Sequence, residues 1–210
     1  MKIELEQVTP AQIEHRSFEI IESELPHPLD PALAPIIKRV IHTTADFDYA
    51  DSLCFSPGAV DKALAAIQRG ACIVTDTNMG RAGINKNALA RHGGEALCFM
   101  ADEDVAAAAK ANGTTRAVAS MDKAAALDRP LIFAVGNAPT ALLTVMDLIA
   151  EGRFAPDLVI GVPVGFVNAA ESKELLAEKD FPYITVLGRK GGTPAAVAAV
   201  NALLRLAGED

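Results

Sequence analysis

The sequence is poor in cysteine and in positive charge, and each shortage excludes a class of protein. Its 210 residues contain three cysteines. An odd number of cysteines without C-x-x-C spacing favours neither a disulfide framework nor a zinc site, so we expect no bound metal. The formal net charge is −8. Because no cluster of lysine and arginine forms a basic stripe, we expect no nucleic-acid partner.

The sequence also lacks an apolar run long enough to cross a membrane. The most apolar stretch, residues 131–150, is interrupted by a glycine, an asparagine, a proline and an aspartate. It favours a strand, a loop and a helix over a membrane span. The opening residues, MKIELEQVTP, carry alternating charges and no apolar core, so they predict no signal peptide. We therefore expect a cytoplasmic protein without a membrane anchor.

Signature motifs of several common enzyme classes are missing as well. The chain contains no G-x-G-x-x-G, no G-x-x-x-x-G-K-[ST], no H-E-x-x-H and no G-x-S-x-G. A dinucleotide site, a P-loop, a zincin site and a nucleophile elbow therefore have no support.

Short apolar runs alternate with helical segments from Ser56 onward. The runs are ACIVTD, EALCFM, LIFAVG, DLVIGV and YITVLG, which begin at residues 71, 95, 131, 157 and 183. Strands that are apolar throughout are typical of a parallel sheet covered on both faces. The sequence therefore predicts one α/β domain over residues 1–210, with a mostly parallel central sheet flanked by helices in three layers.

Helix starts are indicated by an N-cap residue followed by proline. This pattern occurs at Thr9-Pro10, Asp30-Pro31, Ser56-Pro57 and Thr193-Pro194. Asn137, two residues before Pro139, is a candidate cap for a further helix. The N-terminal helices are expected to contribute to the active site.

Three glycine-containing loops directly follow predicted strands. They are GNAPT (136–140), GVPVGF (161–166) and GRKGGT (188–193), and the segment 75–86 follows the strand at Cys72. Ligands of parallel α/β sheets bind beyond the carboxyl ends of the strands, and glycine lets the backbone approach a ligand closely. Each loop alone is better explained as an ordinary turn. Together they predict a broad pocket for a large ligand.

The segment KRVIHTTADFDYAD places Arg39 and His42 three residues apart, on one face of the second predicted helix. The helix dipole at that end favours a protonated imidazole, which suits a general acid. Spacing alone leaves open whether His42 is a catalyst or a surface histidine that stabilises the helix end. The run Asp46–Tyr49 is interpreted as the turn that ends the helix.

Ser17 lies within the apolar stripe of the first predicted helix, between Ile13 and Ile20. Two interpretations remain open for a hydroxyl in this position. It either binds a ligand or donates to a backbone carbonyl of the preceding turn.

Several longer segments resemble the precorrin-8X methylmutase family. They are IEHRSFEII, KRVIHTTADFDYAD, FSPGAV, TDTNMGRAGI, GNAPTAL, GVPVGFVNAAESK and GRKGGTPAAVAAVNALL. The resemblance implies a homodimeric isomerase of cobalamin biosynthesis that uses no redox or organic cofactor. Its substrate would be a corrinoid tetrapyrrole with several carboxylates, with or without cobalt. The reaction would move a methyl group from ring position 11 to position 12 and give hydrogenobyrinic or cobyrinic acid.

The resemblance also implies roles for individual residues. His42 would donate and accept the proton, and Ser17, Arg39 and Arg116 would bind the substrate. A polycarboxylate further calls for cationic side chains and backbone N–H groups. The remaining predicted substrate-binding residues are therefore Gly136, Asn137, Gly188, Arg189 and Lys190.

Two features qualify the resemblance, and two other functions compete with it. A bulkier apolar residue is expected where Gly80 stands, so this glycine is predicted to widen the pocket or loosen its loop. The run Asp46–Tyr49 favours the branch that acts on the cobalt-containing substrate. The competing functions are a corrinoid-binding protein without catalysis, such as a product carrier, and a generic α/β enzyme that binds a phosphorylated metabolite.

Overall fold

A six-stranded sheet forms the centre of the computed structural model, which describes residues 9–208. The opening residues, which bear on the signal-peptide prediction, lie outside the described range up to Val8. The strands are β1 (Leu53–Phe55), β2 (Cys72–Thr75), β3 (Glu95–Leu97), β4 (Leu131–Val135), β5 (Leu158–Gly161) and β6 (Tyr183–Val186). Their order across the sheet is β1-β6-β5-β4-β2-β3. Only β1 runs antiparallel to its neighbour, so the prediction of a mostly parallel sheet is confirmed.

Helices precede, connect and follow the strands. They are α1 (Pro10–Glu24), α2 (Ala34–Thr44), α3 (Tyr49–Ser52), α4 (Ala59–Gln68), α5 (Asn78–Gly83), α6 (Lys86–Arg91), α7 (Glu103–Ala111), α8 (Arg116–Ala125), α9 (Pro139–Ala150), α10 (Ala169–Ala177) and α11 (Thr193–Leu206). Within residues 9–208, no helix is long and apolar enough to cross a membrane.

The two faces of the sheet carry two separate apolar cores. Along β4, Ile132 and Ala134 pack with α2, α4 and α11. The alternate side chains Leu131, Phe133 and Val135 pack with α8, α9 and α10 on the other face. Side chains that alternate between two covered faces explain why the strand is apolar throughout. The three-layer prediction is therefore confirmed.

The sequence located the parallel strands to within one residue at their starts, but it missed β1. That strand has three half-buried residues and pairs with β6 at the edge of the sheet. The segment 75–86 also differs from prediction, because it forms helix α5 and the start of α6 where a loop was expected. The side chains of Thr77 and Asn85 accept hydrogen bonds from the first turns of these two helices.

Candidate active site

Helix α2 places Arg39 and His42 on one face, as their spacing predicts, and both contact the ring of Phe18 on α1. The imidazole of His42 stacks on Phe18 with centroids 5.3 Å apart and planes 13° from parallel. The guanidinium of Arg39 lies 4.8 Å from the centre of the same ring. We refer to Phe18, Arg39 and His42 as the α1–α2 cluster. The sequence indicated the pair on α2 but gave no sign of the aromatic partner.

Helix α2 ends immediately after this cluster through an unusual backbone conformation. Ala45 has a φ of 52°, in the left-handed region, and its N–H donates to the carbonyl of Ile41 at 2.7 Å. This closure turns the chain sharply toward Asp46 and fixes His42 in the last turn of the helix.

Arg39 already holds a carboxylate that belongs to the chain itself. Its Nη2 donates to Oε1 of Glu14 at 2.8 Å, and Nη1 of Arg205 reaches the same oxygen at 2.5 Å. The Arg39 guanidinium, followed by that of Arg205, lowers the pKa of Glu14 to about 2. Two arginines from α2 and α11 therefore converge on one carboxylate beside the α1–α2 cluster.

An arginine-lined groove of about 550 Å³ extends from Arg39 along α11. Arg91 on α6 and Arg205 on α11 also line it. These two arginines were not among the predicted site residues, since each lies alone on its helix without a motif around it. Arginines from three helices make this groove suitable for an anionic group.

Ser17 follows the interpretation in which its hydroxyl is satisfied within the helix. Its Oγ donates to the carbonyl of Ile13 at 2.8 Å. Ser17 is half-buried next to Phe18, so it lies beside the cluster with its proton engaged.

The loops after β2, β4, β5 and β6 meet at one edge of the sheet, as parallel strands require. The loop after β4 is held there by Asp76, which follows β2. The Asp76 carboxylate accepts the backbone N–H groups of Gly136, Asn137 and Ala138 at 3.0, 2.8 and 2.7 Å. Burial raises the pKa of Asp76, while these three hydrogen bonds lower it.

Asp76 also corrects the predicted start of α9. Asn137 does not cap this helix with its side chain, and the N-cap position is Ala138. The carboxylate of Asp76 satisfies these N–H groups from a neighbouring strand. It follows that the backbone N–H groups of Gly136 and Asn137 are engaged and do not face an open pocket.

Close approach of the loops explains Gly136. A Cβ at this position would lie 2.6 Å from the Cα and 2.7 Å from the N of Thr193. The loop after β5 and the loop after β6 (residues 187–192, the β6–α11 loop) are also joined, through Gly165 N–H to Arg189 O at 3.2 Å and Gly192 N–H to Val162 O at 2.8 Å. Gly136 therefore serves packing between loops.

Ion pairs join the turn after α2 to the β6–α11 loop. The ammonium of Lys190 is 2.7 Å from Asp46 and also bonds to Asp48. Asp46, followed by Asp48, raises the pKa of Lys190 to about 12. The acidic residues of the run 46–49 thus have a role beyond ending the helix, and the charge of Lys190 is not free.

The other predicted residues of this loop are more exposed. Gly188 has a φ of 79° and open space around it. The guanidinium of Arg189 lies 5.5 Å from the centre of the exposed Phe166 ring, which belongs to the neighbouring loop. This pair presents a flat aromatic and cationic surface at the edge of the sheet.

Arg116 stands apart from the α1–α2 cluster. It begins α8, which packs on the sheet face opposite to α2 and α11, and it is exposed. Within residues 9–208 it forms no ion pair, and no three His, Cys, Asp or Glu side chains gather as a possible metal site.

Gly80 does not widen the site. It is buried on α5, and a Cβ there would lie 3.2 Å from Cβ of Thr75 and 3.2 Å from Oγ1 of Thr77. Its N–H donates to Thr77 Oγ1 at 3.0 Å, so the segment is anchored. The prediction that this glycine enlarges the pocket or loosens the loop is therefore wrong.

Comparison with known proteins places this arrangement in a family. A family model described as precorrin-8X methylmutase matches residues 12–206. The chain belongs to the precorrin-8X methylmutase family. With it, the chain belongs to the methyl-shifting isomerases of corrin biosynthesis. The match covers both the α1–α2 cluster and the loops at the edge of the sheet.

Individual relatives in the precorrin-8X methylmutase family are similar over nearly the whole chain. The cobalt-precorrin-8 methylmutase of Priestia megaterium is 50% identical, covering 95% of this chain and 89% of the relative. That of Salmonella typhimurium is 46% identical, covering 93% and 94%. The crystal structure of precorrin-8X methylmutase from Thermus thermophilus superposes with a TM-score of 0.85 at 43% identity, covering 93% of this chain and 97% of that one.

Proposed function

We propose that the chain moves a methyl group from ring position 11 to position 12 of precorrin-8, giving hydrogenobyrinic acid, or cobyrinic acid from the cobalt form. Family membership supports the reaction class. The observation that supports the site is the α1–α2 cluster, in which His42 stacks on Phe18 beside Arg39. Both curated relatives described above are named for the cobalt-containing substrate. We therefore assign the cobalt form as the physiological substrate.

The proposed reaction asks little covalent chemistry of the protein. The methyl bond to C11 breaks as the bond to C12 forms, and the π electrons of the macrocycle rearrange without a net change in protons. His42 lends a proton to the macrocycle and takes it back, which biases the electrons toward the shift. The half-buried stack on Phe18 restricts the imidazole to one orientation, and catalysis then depends on holding the substrate against it.

The carboxylates of the substrate require cationic side chains, and a cation that is already paired within the chain must first give up its carboxylate partner. Arg39 is the first candidate, because Glu14 already occupies it as a carboxylate ligand. A substrate carboxylate would replace Glu14 between Arg39 and Arg205. Ser17 would lie beside this position and would donate its hydroxyl to the carboxylate in place of the carbonyl of Ile13.

The edge of the sheet supplies most of the other proposed contacts. Arg189 would bind a carboxylate as an exposed cation, and Gly188 leaves space next to it. Arg116, which is exposed at the start of α8 and outside this edge, would bind a further carboxylate. Gly136 would contribute by placing Asn137, whose side chain is exposed. Lys190 is the last of the proposed contacts at this edge. Because Asp46 and Asp48 bind its ammonium, Lys190 would hold its loop in position beside the substrate.

We further propose that residues 1–210 form a single methylmutase domain, which acts as a cytoplasmic homodimer without a cofactor, a nucleic-acid partner or a membrane. Support for a partner subunit comes from exposed apolar side chains. Ile13 on α1 is 53% exposed, and Phe166 and Val167 are 83% and 77% exposed. Phe166 and Val167 are adjacent in one loop, and exposed apolar side chains that form a contiguous patch mark interaction sites. Sedimentation of the purified chain should give twice the monomer mass of 22.0 kDa.

Visible spectra of the purified chain mixed separately with metal-free precorrin-8 and with its cobalt form test the proposed reaction. We expect conversion to the corresponding acid, faster with the cobalt form. A coloured complex that never converts would support the product carrier. Failure to bind either corrinoid, together with affinity for a sugar phosphate or nucleotide, would overturn the proposal in favour of the third function.

A further inference from the structure

Lys173 on α10 is an anomaly in the core. It has no exposed surface and is among the largest fully buried side chains of the described residues. Lysine is almost never fully buried unless it is paired with an acid, and between residues 9 and 208 no carboxylate forms a salt bridge with it. Burial lowers the pKa of Lys173 to about 8. Its position therefore disfavours the charge that lysine normally carries.

The hydrogen bond that Lys173 makes ends on a backbone carbonyl. Its Nζ donates to the carbonyl of Lys190, in the β6–α11 loop. Lys190 itself is exposed, and its own ammonium is bound by Asp46 and Asp48. Lys190 is thus bound at two points. The buried Lys173 binds its carbonyl, and Asp46 and Asp48 bind its ammonium.

The contacts of the β6–α11 loop connect it to the end of α2, the helix that carries His42. Asp46 follows Ala45, the residue that closes the helix carrying His42. Tyr49 is buried, and its hydroxyl is 3.5 Å from the carbonyl of Gly191, the next residue of the β6–α11 loop. The end of α2 and the loop therefore touch through both a charged and an aromatic contact.

An apolar side chain would fill the space of Lys173 without burying an amine. Burying a charge costs free energy unless the charge is paired, and an apolar group of similar volume carries no such cost. Stability therefore gives no reason for lysine at this position. The feature that lysine adds is the hydrogen bond to the loop.

We propose that Lys173 is a positioning residue for the methyl shift, which acts by holding the carbonyl of Lys190 and so aligns the β6–α11 loop with the end of the helix that carries His42. The inference rests on the proposed function. Lys173 does not act on the substrate itself, because it is fully enclosed.

The test compares Lys173→Met, which keeps an unbranched side chain but ends it one atom earlier and removes the donor, with Lys179→Met, the same change at an exposed lysine that follows α10. Three quantities are measured: the urea midpoint of unfolding, kcat and KM with the preferred form of precorrin-8, and the rate of trypsin cleavage after Arg189 and Lys190, located by mass spectrometry. Cleavage at this loop reports its opening without any substrate.

For Lys173→Met we expect an unfolding midpoint equal to or above that of the unmodified chain. Cleavage after Arg189 or Lys190 should be about ten times faster, because the loop opens more often. We also expect kcat to fall about tenfold with a smaller change in KM, because positioning affects the reacting geometry more than binding. Lys179→Met should match the unmodified chain in all three quantities.

Wild-type kcat or wild-type cleavage in Lys173→Met would overturn the proposal. So would a protein that fails to fold, since lysine would then serve the fold itself. The double variant Asp46→Asn/Asp48→Asn removes the ionic contacts to Lys190 at one half-buried and one exposed position, and it should also speed cleavage and lower kcat. If cleavage accelerates while kcat stays unchanged, the loop is irrelevant to catalysis and the proposal fails. Absence of turnover in the unmodified chain would instead refute the proposed function, and the cleavage comparison would still report on the loop.

Discussion

Gly136→Ala tests whether this glycine serves packing between loops or access for the substrate. An added Cβ would lie 2.6 Å from the Cα of Thr193 and 2.7 Å from its N, both backbone atoms that cannot rotate away. Ordinary contacts begin near 3.4 Å, so the loop that contains Gly136 and the start of α11 must separate by several tenths of an ångström. Overpacking of this kind costs about 1–3 kcal/mol.

The expected loss can be read from urea unfolding. With a urea dependence of about 2 kcal/mol per molar, the midpoint should fall by roughly 0.5–1.5 M. The matched control is Gly208→Ala, where a Cβ would meet its nearest neighbours at 3.7 Å, and its midpoint should not move. If Gly136→Ala leaves the midpoint unchanged and only raises KM, the glycine exists for the substrate and the packing explanation is wrong.

Three further predictions concern the α1–α2 cluster and the end of α2. Glu14→Gln removes the internal carboxylate from Arg39, so KM for the corrinoid should fall by up to about fivefold, the equivalent of about 1 kcal/mol for an exposed pair; an increase in KM would mean that Glu14 positions Arg39. The pKa of Glu14 is lowered from 4.5 to about 2. The contribution of the Glu14 carboxylate to stability is therefore complete above pH 4.5 and is lost as the pH falls toward 2. Acid unfolding followed by circular dichroism should therefore be less steep over this range in Glu14→Gln. Ala45→Gly relieves the left-handed strain at φ 52° and should raise the free energy of unfolding by up to about 1 kcal/mol, and a loss of more than that in urea would show that the alanine side chain packs favourably.

Features set by local periodicity could be predicted from the sequence. Four of the five parallel strands were recognisable because both of their faces are buried, as in Leu131–Val135. The fifth, β3, lies at the edge of the sheet and begins with the exposed Glu95, but it continues into an apolar run. Arg39 and His42 could be placed together because three residues of helix bring side chains to one face. Both inferences need only the residues of a single element.

Features that join distant segments could not be predicted in this way. Asp76 reaches a loop about sixty residues further along the chain, and Asp48 reaches Lys190 across 142 residues. A carboxylate that will be buried has no local pattern that distinguishes it from one on the surface. The same holds for Lys173, whose burial depends on how α10 packs against the β6–α11 loop.

The most direct test of the central claim is the turnover of His42→Ala with the preferred form of precorrin-8, followed by its visible spectrum and compared with His92→Ala. We expect kcat to fall by about 100-fold or more in His42→Ala, the usual contribution of a general acid–base group, while the corrinoid still binds and His92→Ala turns over normally. Undiminished turnover in His42→Ala would contradict the assignment of the proton to this histidine.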